Sequence, residues 1–139
     1  MNSGSTGPID PVRDYLRQSG APYSVVVQGL RGLVENWERV VAQVLEGYNL
    51  TLDDYLNDMD GRQLLENALE LAPEEVRATF LARVGDADMR VRLNLVPVGR
   101  CLWGGIVADE EGWTEARNWW YFERPRQPGP RLMEELDAT

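Results

Sequence analysis

The sequence contains no histidine and no lysine, and its 139 residues include a single cysteine, Cys101. Without histidine there is no imidazole base, no Ser-His-Asp or Cys-His nucleophile and no histidine-bound zinc or iron. Without lysine there is no Schiff-base amine and no phosphate-loop lysine. A lone cysteine excludes an internal disulfide and a cysteine-based zinc cluster. The remaining options are carboxylate chemistry, Mg²⁺ or Ca²⁺ held by carboxylates, a lone Ser, Thr or Cys, or no catalysis.

The absences of histidine and lysine are also typical of a compositional bias in a GC-rich genome. All 14 basic residues are arginine, as such a bias would produce. The missing residue types therefore exclude mechanisms without indicating one.

The sequence also lacks a long apolar run and a secretory leader. No stretch approaches the roughly 20 apolar residues that cross a bilayer, and residues 1–9 have neither a basic n-region nor an apolar h-region. We therefore expect a cytoplasmic protein with no membrane contact, in which Cys101 stays reduced. Residues 1–9 predict a disordered lead, and residues 10–139 predict one helical domain.

Apolar residues at helical spacing predict a mostly α-helical bundle of five or six helices. The longest stripe has spacings of 4, 3, 4, 3 and 4 and consists of Val26, Leu30, Leu33, Trp37, Val40 and Val44. Such a stripe predicts a core helix of about six turns. Gly29 and Gly32 predict either that this helix begins properly only near Leu30 or that another helix approaches closely there. Asp10-Pro11 predicts the start of a short first helix, with Asp10 as its N-cap.

Residues 51–71 are helical in content but change their apolar face halfway along. A single straight helix there would need partners on both sides, so we predict two short helices with a break at Asp60-Gly61 and Asp60 capping the second. Thr51 and Asp54 predict a capping box at the start of the first helix.

The segment after Pro73 predicts a further helix that ends at Gly85. Residues 89–95 alternate between apolar and polar, which is typical of a half-buried strand. A helix is favoured there because no partner strand follows through a tight turn, and a small β-hairpin near 89–95 is the alternative. Residues 96–115 predict an irregular segment, residues 113–125 an aromatic-rich C-terminal wrap, and residues 132–136 a last short helix.

The net charge of −9 is unevenly distributed along the chain. Residues 51–75 carry eight acidic residues against Arg62 alone, a net charge of −7, whereas residues 76–108 carry five arginines against two aspartates, a net charge of +3. One interpretation is that the acids form solvated helix faces, with Arg90, Arg92 and Arg100 as their intramolecular complement. The other is an acidic surface for a basic protein partner, formed by Asp53, Asp54, Asp58 and Asp60.

The run Asp58-Met59-Asp60-Gly61 suggests a calcium loop, but the spacing excludes an EF-hand. With Gly61 at loop position 6, Leu56 takes position 1 and Asn67 position 12, so both key ligand positions lack a carboxylate. We therefore expect no metal site and no cofactor. Direct binding of nucleic acid is not expected at this net charge.

Aromatic residues are dense near the C-terminus. One interpretation is that they close over a helical core. The other is that one or two of Trp113, Trp119 and Tyr121 stay at the surface as anchors, because Trp, Tyr and Arg dominate interface energetics.

Two stretches resemble a group of bacterial proteins. Residues 48–60 (YNLTLDDYLNDMD) followed by Arg62, and residues 119–122 (WWYF) followed by Arg124-Pro125, resemble small uncharacterised bacterial proteins of GC-rich genomes. Some of those proteins are similar to the immunity proteins of polymorphic toxin systems. The resemblance spans residues 33–136, departs at Gly61 and at the charged residues 109–111, and assigns no functional residue.

Together these observations predict a non-catalytic, acidic protein-binding domain. Its most specific form is an immunity or antitoxin-like inhibitor of a basic partner. The alternatives are a small carboxylate-based metal-binding protein or enzyme, which needs at least three converging carboxylates, and a structural homo-oligomer such as a homodimer.

Overall fold

The computed structural model describes residues 10–139. Its helices are α1 (Pro11–Gln18), α2 (Tyr23–Leu45), α3 (Leu52–Leu71), α4 (Glu74–Arg92), α5 (Gly105–Glu111) and α6 (Pro130–Asp137). Two short strands, β1 (Leu95–Pro97) and β2 (Glu123–Pro125), pair antiparallel, and a 3₁₀ turn (Trp119–Tyr121) precedes β2. The predicted helical bundle is confirmed. The predicted disordered lead, residues 1–9, lies outside the described residues.

The first helix, α1, packs against a kink in α2. Gly29 has φ +60° and ψ −148°, a conformation that glycine adopts without the strain a side chain would cause. The guanidinium of Arg13 in α1 lies against this kink and donates to the carbonyls of Val26 and Val27 over 3.1 and 2.8 Å. The helix begins at Tyr23, earlier than the expected start near Leu30, but its regular part after the interruption at Gly29 begins at Leu30. The close approach expected as the alternative is found at Gly29, against Arg13 of α1.

The third helix, α3, runs unbroken from Leu52 to Leu71, so the predicted break at Asp60-Gly61 is wrong. The helix changes its buried side without breaking because it has partners on both sides. Near its start it lies against the C-terminal segment, where the Tyr55 hydroxyl donates to the Glu123 carbonyl. Further along it lies against α1 and α2. The capping box of Thr51 and Asp54 is confirmed.

The fourth helix, α4, continues past Gly85, which was predicted to end it. Its buried residues keep a helical spacing through that point and consist of Phe80, Val84, Ala87 and Val91. Burying these side chains against α2 outweighs the roughly 1 kcal/mol that a mid-helix glycine costs. The predicted helix at the start of residues 89–95 is confirmed as far as Arg92, and the strand lies just beyond, at β1.

The stretch of residues 96–115 was expected to be irregular but contains β1 and α5. Gly112 ends α5 in the left-handed conformation, with φ +74°, and residues 109–111 are exposed. Within residues 10–139 no helix has both the length and the hydropathy of a membrane span.

Candidate functional site

The four aspartates predicted to bind a partner all lie on α3, but three of them have internal hydrogen bonds. Asp54 closes the capping box, Asp58 accepts from the buried Tyr48 hydroxyl, and Asp60 accepts from the Tyr121 hydroxyl at 2.6 Å and the Trp103 indole N–H at 3.1 Å. Asp53 and Asp54 are both exposed, and Asp53 is the one of the four that forms no hydrogen bond or ion pair with the described residues.

The fold disfavours the ionised form of Asp58, the carboxylate of this group that accepts from Tyr48. Burial raises the pKa of Asp58, the charge of Asp54 raises it further, and the hydrogen bond from Tyr48 opposes the rise. Burial and the hydrogen bond to Asp58 also raise the pKa of the Tyr48 phenol far above its usual range, so Tyr48 remains the donor.

The raised pKa of Asp58 makes a pH-dependent prediction. A carboxyl whose pKa is higher in the folded than in the unfolded state contributes stability below the unfolded pKa of about 3.9, and this contribution is lost as the pH rises through the folded pKa. Asp58→Asn keeps an acceptor for Tyr48 but has no charge to bury. We expect the stability of this variant relative to the wild type to increase from acid to neutral pH, measured by urea unfolding across that range.

Asp53→Asn is the matched control, because it removes one negative charge from the same helix without removing a described contact. A stability difference between Asp58→Asn and the wild type that is constant with pH, or that falls toward neutral pH, would contradict the proposed environment of Asp58.

The aromatic residues do not form the predicted surface. Trp119 and Tyr121 are only 7% and 1% exposed, so the expected surface exposure of these two side chains is wrong. They pack in the core because the turn that carries them lies over α3 and α2. Trp113 is half-buried and stacks on Tyr121 with 3.9 Å between ring centroids. The exposed tryptophan is Trp103, at 41%, which stands apart from the aromatic run and precedes Gly104-Gly105.

Sequence reasoning also missed a buried ionic network centred on Arg62. This side chain is 4% exposed, and its Nε and Nη2 donate to the two carboxylate oxygens of Asp88 over 3.0 and 2.7 Å. Its Nη1 donates to Glu66, and its guanidinium lies 4.4 Å from the Trp120 ring centroid. Asp88 also accepts from the Trp37 indole N–H. The network joins α2, α3 and α4 to the C-terminal turn.

The expected pairing of Arg90, Arg92 and Arg100 with the acids of residues 51–75 is wrong. Arg90 lies near Asp86 of its own helix, Arg92 pairs with Glu123, and Arg100 donates to the Thr139 hydroxyl. These three arginines therefore do not neutralise the acids of α3, because their partners lie in α4, in β2 and at the C-terminus.

A polar groove lies between the second half of α3 and the turn that follows α5. Its volume is about 340 Å³, and it is lined by Gln63, Glu66, Asn67, Glu70, Glu111, Gly112, Trp113, Arg117 and Asn118. Three carboxylates and one guanidinium give the lining a net charge of −2. Neither Glu70 nor Glu111 forms an ion pair with a described residue, so both carboxylates are available to a ligand.

A chain of side-chain hydrogen bonds runs along this groove. Asn118 is buried and donates to Gln63 over 2.9 Å, Gln63 donates to Asn67 over 2.9 Å, and Asn67 donates to the Tyr15 hydroxyl over 2.8 Å. The side-chain oxygen Oδ1 of Asn118 accepts from the Thr114 backbone N–H. These bonds hold the amides in place, so the groove is formed without a ligand.

Comparisons with known families, proteins and structures leave the site to be interpreted from its own chemistry. No family model, curated protein or solved structure matches this chain.

The geometry bears on the alternative of a carboxylate-based metal-binding protein or enzyme. In residues 10–139 no three Cys, Asp or Glu side chains converge closely enough to hold a metal ion, so the convergence required by the carboxylate-based alternative is not found there. The groove instead combines free carboxylates with fixed amides and the half-buried ring of Trp113. This set of groups can bind a cation by charge-assisted hydrogen bonds and by stacking.

Proposed function

We propose that the protein is a non-catalytic protein-binding domain whose acidic groove receives a basic side chain of its partner. The observation that carries the proposal is the groove of about 340 Å³ with Glu70 and Glu111 free at its wall. The groove lies along α3, the helix that forms most of the acidic stretch of residues 51–75.

Arginine is the partner residue that this groove fits best. A planar guanidinium donates to two carboxylates at once and stacks on an aromatic face, whereas an ammonium group does neither as well. Glu70 and Glu111 supply the carboxylates and Trp113 supplies the aromatic ring. Arg117 at the same lining limits how many positive charges can enter together.

The most specific form of the proposal is an immunity or antitoxin-like inhibitor acting in the bacterial cytoplasm. A nucleic-acid-cleaving partner has a basic cleft, and opposite charge speeds association with such a surface and selects against acidic partners. The exposed carboxylate of Asp53 adds negative charge near the start of the same helix. Cys101, buried and free, suits a reducing compartment.

Titration with a hexa-arginine peptide tests the proposal. We expect Glu70→Gln combined with Glu111→Gln to weaken binding about five- to tenfold, because each partly exposed charge pair contributes about 0.2–1 kcal/mol. Isothermal titration calorimetry measures the dissociation constants at several salt concentrations. The slope of log Kd against log salt should be smaller for this double variant.

Glu46→Gln combined with Glu134→Gln is the matched control, because it removes the same charge from exposed positions outside the groove. We expect less than a roughly twofold change for this control, because moderate salt screens interactions between exposed charges that lie more than about 10 Å apart. Equal weakening by both double variants would contradict a specific groove and leave only the net charge as the cause of binding.

A further inference from the structure

The helix α4 has a second apolar face that no described element covers. The residues of this face, here called the outer α4 face, are all exposed and consist of Ala78, Leu81, Ala82, Gly85, Met89 and Leu93. Leu81, Met89 and Leu93 are 51%, 61% and 72% exposed. Because successive helix residues turn by about 100°, this set lies opposite the residues that pack on α2.

An apolar outer face is unusual for a surface helix, whose solvent side is normally polar. A contiguous exposed apolar patch is typical of a surface that binds another protein. The centre of the outer α4 face carries the small residues Ala82 and Gly85, and a Cβ placed on Gly85 would meet no atom within 4 Å. A second helix can therefore approach along this face to the 8–10 Å axial distance of packed helices.

The charges at the two ends of α4 indicate which helix fits. Its first turn carries Glu74 and Glu75. Its last turn carries Arg92, which already pairs with Glu123, and Arg90, whose ion pair among the described residues is a long one of 3.9 Å with Asp86 of the same helix. In an antiparallel pair of α4 helices, the acidic turn of each copy lies beside the basic turn of the other. A parallel pair would place like charges together at both ends.

We propose that the outer α4 face is the interface of a homodimer in which two α4 helices pack antiparallel about a two-fold axis. An axis between Ala82 and Gly85 places these small residues against each other, and it places Met89 of one copy against Ala78 of the partner copy. The interface is isologous, as expected for a two-fold dimer. This inference goes beyond the proposed function, since no residue that lines the groove belongs to the outer α4 face.

Light scattering coupled to size-exclusion chromatography on the full chain tests the dimer. We expect twice the mass of one chain, and we expect Met89→Asp to raise the dimer dissociation constant at least about tenfold, because it places a charge in the apolar interface, against Ala78 of the partner copy. Met89 is exposed, so the variant should keep the helical circular dichroism of the wild type. Ile106→Asp, at a 78% exposed apolar residue of α5, is the matched control and should stay dimeric.

A charge exchange tests the antiparallel arrangement and does not depend on Met89. Glu75→Arg and Arg90→Glu should each weaken the homodimer, because each variant places two like charges together twice. Mixing the two variants should restore dimerisation as a heterodimer. A wild-type chain that stays monomeric up to about 1 mM, a dimer unaffected by Met89→Asp, or a mixture no tighter than its components would overturn the proposal.

Discussion

Replacing Arg62 with methionine is expected to lower the free energy of unfolding by about 3–5 kcal/mol, the cost of removing one partner of a buried ion pair. Methionine fills much of the same volume, but it leaves the Asp88 carboxylate with only the Trp37 indole as a donor among the contacts described. The side chain of Asp88 is 20% exposed, so water cannot fully replace the guanidinium. Urea unfolding followed by circular dichroism measures the change.

Arg17→Met is the control for this prediction. Arg17 also pairs with an aspartate, Asp14, but the two side chains are 60% and 54% exposed. An exposed pair contributes at most about 1 kcal/mol, so the control should unfold close to the wild type. If Arg62→Met were as stable as Arg17→Met, the buried network would not be a main support of the fold.

Replacing Trp37 with alanine is expected to destabilise the protein by about 3–5 kcal/mol, as large-to-small changes of buried aromatics do. Trp37 is 1% exposed and lies at the centre of the helical core, with its ring centroid 6.5 Å from that of Trp119. Alanine would leave a cavity and would also remove the indole donor to Asp88. Chemical unfolding again gives the measurement.

Two further variants separate the causes. Trp37→Phe keeps most of the ring but loses the N–H group, and we expect a loss of about 2 kcal/mol, the size of a hydrogen bond to a charged group. Trp103→Ala removes a 41% exposed tryptophan together with its hydrogen bond to Asp60, and it should cost less than Trp37→Ala because it leaves no buried cavity. A Trp37→Ala variant no less stable than Trp103→Ala would contradict the proposed core.

The elements that sequence could predict are those specified by local chemistry. The Asp10 and Thr51 caps depend on residues near them in the chain, and each is found as expected. The predicted stops at Asp60-Gly61 and Gly85 failed because tertiary packing outweighs a modest local cost. A helix with partners on two sides gives a pattern that resembles a break.

The candidate site was harder to predict because its groups come from distant parts of the chain. Asp58 and Asp60 look like free acids in sequence, but Tyr48 and Tyr121 donate hydrogen bonds to them from other elements. Arg62 and Asp88 are 26 residues apart, and no local pattern links them. The acidity of residues 51–75 was visible, whereas the groove depends on Glu111, Trp113 and Asn118 folding back onto α3.

The most direct measurement of the proposed binding is a heteronuclear NMR titration with the hexa-arginine peptide, observing the side-chain amides and indoles. Gln63, Asn67 and Asn118 report on the groove through their side-chain NH₂ groups, and Trp113 reports through its indole N–H. We predict that these signals shift most and that the shifts shrink in the Glu70→Gln, Glu111→Gln double variant. Small shifts spread evenly over the acidic surface, unchanged in that variant, would contradict the groove as the binding site.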